Sequence, residues 1–465
     1  MIYLISANSL LFKSDKYSVT TTQEALEYLR TLKQVQLDTE TSGLDCYTKT
    51  LLTLQLGSKD NQYVFDWTTI SDSDKQLIKE YLESDVLILG FNLMFDLTFL
   101  YRNNIWPRHI YDNMIAEQLL YLGYPRVLTS ELVSELNLNV PFYDFIKQEE
   151  GNSYYELSYS LKSTAKRRLG IDIDKSVRGD IIKYGLTEDV VVYAGTDVKW
   201  LEDIKDAQYV ELQKQDLVQA VEFESNFVRA LAYTKYCGIH LDVNKWKNKM
   251  QSDLDKLNKA KTELDNFVLE LDKNKYVFQE ARNLKEAKKL ESLGFELTDK
   301  PNVYKKYVSD LFTNYQLQYS LFEESNIGKY CNINWDSSQQ VIKLFEIIGI
   351  SVTTFDKKTK REKKSINEKI LSPQVKDFPI LETYLEYKEA SKVVSTYGQN
   401  WLNAINPISG RIHVELHSIG TDTSRVSSGG GQYKLNQQNL PNDAVTRACF
   451  TAEKGNIWLS CDYSG

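Results

Sequence analysis

The segment "VQLDTETSGL" places Asp38 and Glu40 two residues apart. On a strand that spacing puts both carboxylates on one face, with Val35 and Leu37 turned to the other. Neighbouring carboxylates repel each other unless a cation sits between them. Such a pair alone is common at strand ends and carries little weight. Two further segments add to it. "GFNLMFDLTFL" follows a short apolar run and supplies Asn92 and Asp96. "LTEDVVVYAGTDVKWL" sets Tyr193 and Asp197 four apart, on one face of a helix. Four acids and a tyrosine on separate elements suit two divalent cations about 4 Å apart and in-line attack on a phosphodiester. In that chemistry one cation generates hydroxide, the other steadies the leaving oxygen, and Tyr193 orients the attacking water.

These groups need a scaffold. Short runs rich in β-branched and aromatic residues predict strands at 34–39, 50–57, 62–67 and 86–90, with a hairpin-like turn at 59–62. The opening "MIYLISANSLLF" reads as a further strand. Helical periodicity follows at 94–103, 111–123, 127–137, 158–169 and 186–206. Three strands able to pair antiparallel, then strands alternating with helices, is the order of a ribonuclease H-like α/β sheet. After residue 206 the character changes. Residues 208–235 and 243–270 read as long helices, 356–364 as a basic surface loop, and 374–405 as helix again. A turn and strand are expected at 407–417, a glycine- and amide-rich loop at 427–443, and a last strand at 456–462.

Composition narrows the class. With 465 residues, 42% hydrophobic and 26% charged, the chain has material for two to four domains. The first 200 residues hold 20 basic and 28 acidic side chains, so they carry the whole net charge of −8. An acidic total lacks the basic footprint usual in nucleic-acid binders, although local patches matter more than totals. Cys46, Cys237, Cys331, Cys449 and Cys461 are odd in number, scattered and without C-x-x-C, which argues against disulfides or zinc and for a reducing cytoplasm. His413 and His417 are four apart, but no neighbouring acid or cysteine completes a zinc site, so packing or surface roles are expected. The longest apolar stretch, 86–91, is too short to span a membrane, and the opening lacks a basic leader and a cleavage site.

In their order and separations, D-x-E, N-x-x-F-D and Y-x-x-x-D resemble the DEDDy 3′–5′ exonucleases, and "SLKSTAKRRLGIDIDKS" (160–176) resembles the segment before that family's third motif. The resemblance implies that Asp38, Glu40, Asp96 and Asp197 hold two magnesium (or manganese) ions. It also implies that Asn92 touches a single-stranded 3′ end and that Leu44 wedges against the terminal bases. Met94 departs from the lysine common in the family, which affects a substrate contact and not the metal site.

The remainder resembles family A DNA polymerases, the class of bacterial DNA polymerase I and many phage replicases. "KVVSTY" (392–397) is similar to the thumb tip and "GRIH" (410–413) to the palm entry. "TDTSRVSS" (421–428) is similar to T-x-T-G-R-L-S-S, "NQQNLP" (436–441) to N-L-Q-N-I-P, and "CDYSG" to the A-D-Y-S-Q of motif A. The resemblance implies an exonuclease domain at 1–206, a mostly helical thumb at 207–400 with an insertion near 271–329, and the start of a palm at 401–465. Lys392, Ser395 and Thr396 are suited to holding phosphates. Arg425, Gln438 and Asn439 are long donors suited to the minor-groove acceptors that every base pair presents. Ser424 and Gln437 replace the usual Gly and Leu. Asp462 stands where the family places one of two metal-binding aspartates; the second, and the fingers helix, come from later motifs. The expectation is an intact proofreading exonuclease, a primer–template partner, and no polymerisation by this chain alone. The rest of palm and fingers is then expected on a second chain, through an intron, intein or gene split within motif A, or else the gene sequence is incomplete. The alternatives are a ribonuclease D-like exonuclease with an RNA-binding appendage, and a non-catalytic DNA-binding subunit.

Overall fold

The structure, a computed structural model, describes residues 1–8, 12–136, 143–149, 152–174, 177, 179–270, 277–280, 305–308, 333–356, 361–421, 423–459 and 461. It forms two compact units. The first comprises Met1–Leu241, Asn403–Asn442 and Phe450–Gly465; the second comprises Asp242–Leu402 and Asp443–Cys449.

The first unit opens with β1 (Ile2–Ile5), β2 (Ser18–Val19) and α1 (Thr22–Leu29), followed by β3 (Gln34–Thr41), β4 (Leu51–Gly57) and β5 (Gln62–Asp66). Next come α2 (Asp72–Leu82), β6 (Leu87–Gly90), α3 (Leu93–Arg102), β7 (His109–Asp112) and α4 (Asn113–Leu120). The sheet order is β2-β1-β5-β4-β3-β6-β7. β3, β4 and β5 pair antiparallel, while β6 and β7 join β3 in parallel. This is the expected ribonuclease H-like core, extended by β1 lying parallel to β5. β3 is central because Val35 and Leu37 are buried completely or nearly so, and the acids alternate with them. A register shift between Glu40 and Thr41 marks a β-bulge at the end of the acidic stretch.

A smaller sheet, β8 (Val127–Thr129), β9 (Asp144–Glu149) and β10 (Asn152–Glu156), surrounds α5 (Ser130–Leu136) in the sequence. The unit continues through α6 (Leu161–Leu169), α7 (Asp180–Tyr184), α8 (Glu188–Lys199), α9 (Leu201–Lys214) and α10 (Val218–Cys237). α8 packs against β3, β4 and β5. Gly195 permits the approach to β1, since a Cβ there would stand 2.9 Å from Ile2 Cγ2.

The second unit is built on α11 (Val243–Glu270), the helix expected at 243–270, packed against the helix Ile380–Thr396. Leu264, Val268, Trp335, Phe345, Leu381 and Tyr384 anchor its core. Among the described residues no helix is long and apolar enough to cross a membrane.

Several sequence expectations are corrected. The helix expected at 111–123 begins at Asn113, because Ile110 and Tyr111 are buried in a strand beside β6 and Asp112 caps the helix. Residues 127–129 are strand, not helix, paired with β10. The helices α1 and α2 were not expected from periodicity, although a Thr21–Glu24 capping box and a Ser71 cap announce them. The helix expected over 186–206 breaks at Trp200, and that over 208–235 breaks where Asp216 adopts φ +56°. Arg361–Lys364 is not loop but pairs with Thr353–Asp356. Residues 456–459 form no strand: Ile457, Trp458 and Leu459 are exposed, and no described strand pairs with them.

Candidate active site

Two carboxylates come from β3 and one from α8. Oxygens of Asp38, Glu40 and Asp197 lie within 4.8 Å of one another. Asp38 and Glu40 are half-buried and Asp197 is buried. The i,i+4 spacing on α8 brings Tyr193 to the same place. Its phenol is buried and is held well above its ordinary pKa by burial first, then by the charge and hydrogen bond of Asp197, then by Glu40 and Asp38. Tyr193 therefore stays protonated and works as a hydrogen-bond donor, not as a base.

Asp96, on the first turn of α3, lies outside that group of three but close enough to feel Glu40. It is 3% exposed, and its Oδ1 accepts from Thr39 Oγ1 at 2.6 Å. Burial pushes its carboxyl up to about 7; the Thr39 bond opposes the shift, and the charges of Asp112 and Glu40 add to it.

Asn92 is exposed at the N-terminus of α3, with φ 61° and ψ 45°. Left-handed backbone of this kind is tolerated by asparagine better than by most residues. Its side chain makes no capping bond. Instead the Asn92 and Leu93 amides donate to Asp112 at 2.9 and 2.8 Å. Gly90 helps the chain turn here, since a Cβ would fall 2.1 Å from Leu93 Cδ2. Asp112 was not singled out from the sequence. The available signal was an acid standing just before an apolar helical run, an N-cap pattern. Leu44 protrudes beyond β3 and is 80% exposed.

The segment at 160–176 braces these elements. Arg167 Nη1 and Arg168 Nε of α6 reach Glu117 of α4 at 2.7 and 2.9 Å, and Gln208 of α9 donates to the same carboxylate. Both arginine side chains are 4% exposed and that of Glu117 is fully buried.

The remaining sequence candidates come from other parts of the chain. Lys392, Ser395 and Thr396 are exposed toward the C-terminal end of Ile380–Thr396, in the second unit. Arg425, Gln438 and Asn439 are exposed in the first unit. The Gln438 amide donates to Val426 O at 2.9 Å. Ser424 has φ +56°, which accounts for a glycine being usual at this place in the motif it resembles. Asp462 lies outside the described residues. His413 has the expected packing role: Nδ1 meets Lys235 O at 2.7 Å and Nε2 meets Ser409 Oγ at 2.6 Å.

Comparison with known proteins gives these geometries a family. Residues 17–213 match the 3′–5′ exonuclease family model, and residues 305–465 match that of DNA polymerase family A. The DNA polymerase I of Borreliella burgdorferi is 24% identical over 473 residues, covering 98% of this chain and 41% of the relative. A 3′–5′ exonuclease match thus stands ahead of a DNA polymerase family A match in one chain. Its exonuclease match contains all four acids and Tyr193, and its polymerase match contains the candidates from Lys392 to Asp462. The DNA polymerase I of Aquifex aeolicus is 37% identical over 116 residues, 24% of this chain and 18% of that protein. The polymerase domain of Pol1 from M. smegmatis, solved with DNA primer-template and dNTP, shares the fold with TM-score 0.57 and 15% identity, over 92% of this chain and 57% of that one. The chain spans less than half the length of these curated relatives.

Proposed function

We propose that this chain shortens DNA from its 3′ end by a cation-dependent hydrolysis and serves as the proofreading part of a replicative polymerase in the cytoplasm. The convergence of Asp38, Glu40 and Asp197 within 4.8 Å beside a protonated Tyr193 carries this reading. An all-carboxylate donor set is chemically suited to magnesium or manganese. With Asp96 added, the four acids would hold two such ions, which when bound supply a hydroxide nucleophile and neutralise charge at the phosphate. Tyr193 holds the attacking water in line, and Asn92 and Leu44 receive the unpaired strand end.

In the polymerase part, Arg425, Gln438 and Asn439 would contact the minor groove irrespective of sequence, while Lys392, Ser395 and Thr396 would hold phosphates. Asp462 would hold a metal there, and a second chain completing palm and fingers belongs to the same reading. Adding nucleotides to a primer–template reads extension directly.

The test uses 5′-labelled DNA with a mismatched 3′ end beside a structured RNA, with magnesium or with chelator. The reading expects stepwise shortening of the DNA that chelator abolishes. Faster shortening of the RNA supports a ribonuclease D-like enzyme instead, and binding without shortening supports a non-catalytic DNA-binding subunit.

A further inference from the structure

Asparagine at the start of a helix ordinarily spends its side chain on capping that helix. Asn92 does not. The α3 N-terminus is capped from another element: Asp112, at the end of β7, accepts from the Asn92 and Leu93 amides and from the Met114 amide that opens α4. One buried carboxylate thus closes the first turn of two helices, and it is 1% exposed. The consequence falls on Asn92. Its backbone is pinned in a left-handed conformation, and its side chain, relieved of capping, stands exposed above α3. Asp96 sits one turn further along the same helix.

We propose that Asp112 is a positioning residue for strand-end binding: by capping α3 across the fold, it frees the Asn92 amide group for the 3′-terminal nucleotide and fixes where that group points. This rests on the reading of the site as a 3′–5′ exonuclease. The Asp112 carboxylate is spent on backbone amides, and it reaches the candidate ligand Asp96 only through its charge. Its removal is therefore expected to change how the strand end is held, while cation binding stays near wild type.

The test is a double-substitution cycle on the full chain, Asp112→Asn and Asn92→Gly, singly and together. Glycine accepts φ +61° without strain, so Asn92→Gly removes only the side chain. Each single variant is expected to raise KM for a single-stranded DNA 3′ end about tenfold, the worth of one good hydrogen bond. kcat and manganese affinity, read by titration calorimetry, are expected to stay within about threefold of wild type. Because Asp112 acts through Asn92, the double variant should also lie near tenfold. A product of the two effects, near a hundredfold, overturns the proposal, as does a KM unchanged by Asp112→Asn. Loss of manganese binding in Asp112→Asn overturns it too, since the residue would then serve the metal site. If Asp112→Asn does not fold, Asp112→Ser, which keeps one acceptor, is read in the same way; if neither folds while Asn92→Gly does, Asp112 is a folding group and the proposal falls. A wild type that shortens no DNA fails the exonuclease reading itself, whereas a wild type that does so while the cycle is additive fails this inference alone.

Discussion

Thr39 donates to Asp96 at 2.6 Å, from the strand position that separates Asp38 from Glu40. A single strand therefore presents two acids of the site on one face and, from the residue between them, fixes a third acid that belongs to a different helix. Thr39→Val keeps the shape and removes the donor. The metal-free variant should lose about 1–3 kcal/mol of stability at pH 8, where Asp96 is ionised, and less at pH 5. Thr39→Ser should recover it. Urea unfolding at the two pH values reads the difference.

The same acid sets a pH dependence. Burial raises Asp96 to about 7 and Asp112 to about 6, both from an ordinary 3.8. Between 3.8 and these values the folded chain binds protons that the unfolded chain does not, so stability falls as pH rises. The contribution of each is full below pH 3.8 and is lost through pH 6 to 7. Asp96→Asn, which cannot ionise, should therefore gain in melting temperature relative to metal-free wild type between pH 5 and pH 8. Magnesium should stabilise the wild type more at pH 8 than at pH 5. A constant offset across that range would contradict the assignment.

Tyr193 is placed to donate and not to titrate. Tyr193→Phe removes one hydroxyl from a packed helix and should leave the fold and manganese affinity unchanged. The rate of 3′ shortening at saturating DNA should fall by about tenfold to a hundredfold. A drop confined to KM would remove the phenol from the hydrolytic step.

Glu117 holds two arginines that are almost wholly buried. Glu117→Ala would remove the buried acid that both guanidinium groups share, leaving Arg168 its bridge to Glu211, and should cost about 3 kcal/mol. Arginines of α6 and the glutamine of α9 converge on it, so early release of α6 in hydrogen exchange is expected alongside.

Much of this was legible in the sequence where a pattern is local. The acids of β3 alternate with Val35 and Leu37, and Tyr193 and Asp197 keep helical spacing, so both groups were found from period alone. β7 was hidden because four residues of parallel strand run straight into α4, and the apolar residues on either side of the junction imitate one helix. The role of Asp112 depends on amides 20 and 19 residues earlier, and that of Thr39 on an acid 57 residues later; no local pattern records either. The strand expected from Ile457 and its neighbours failed for the opposite reason. A strong local pattern makes a strand only when another strand is there to pair with it, and these side chains face solvent.

The central claim is that the carboxylates of β3 drive shortening of a DNA 3′ end. A 5′-labelled primer with a mismatched 3′ terminus on its template, incubated with magnesium, tests it with two proteins side by side: the wild type and the Asp38→Ala/Glu40→Ala variant. Stepwise loss of 3′ nucleotides by the wild type and none by the folded variant is the predicted result. Equal shortening by both proteins, or none by either, would contradict it.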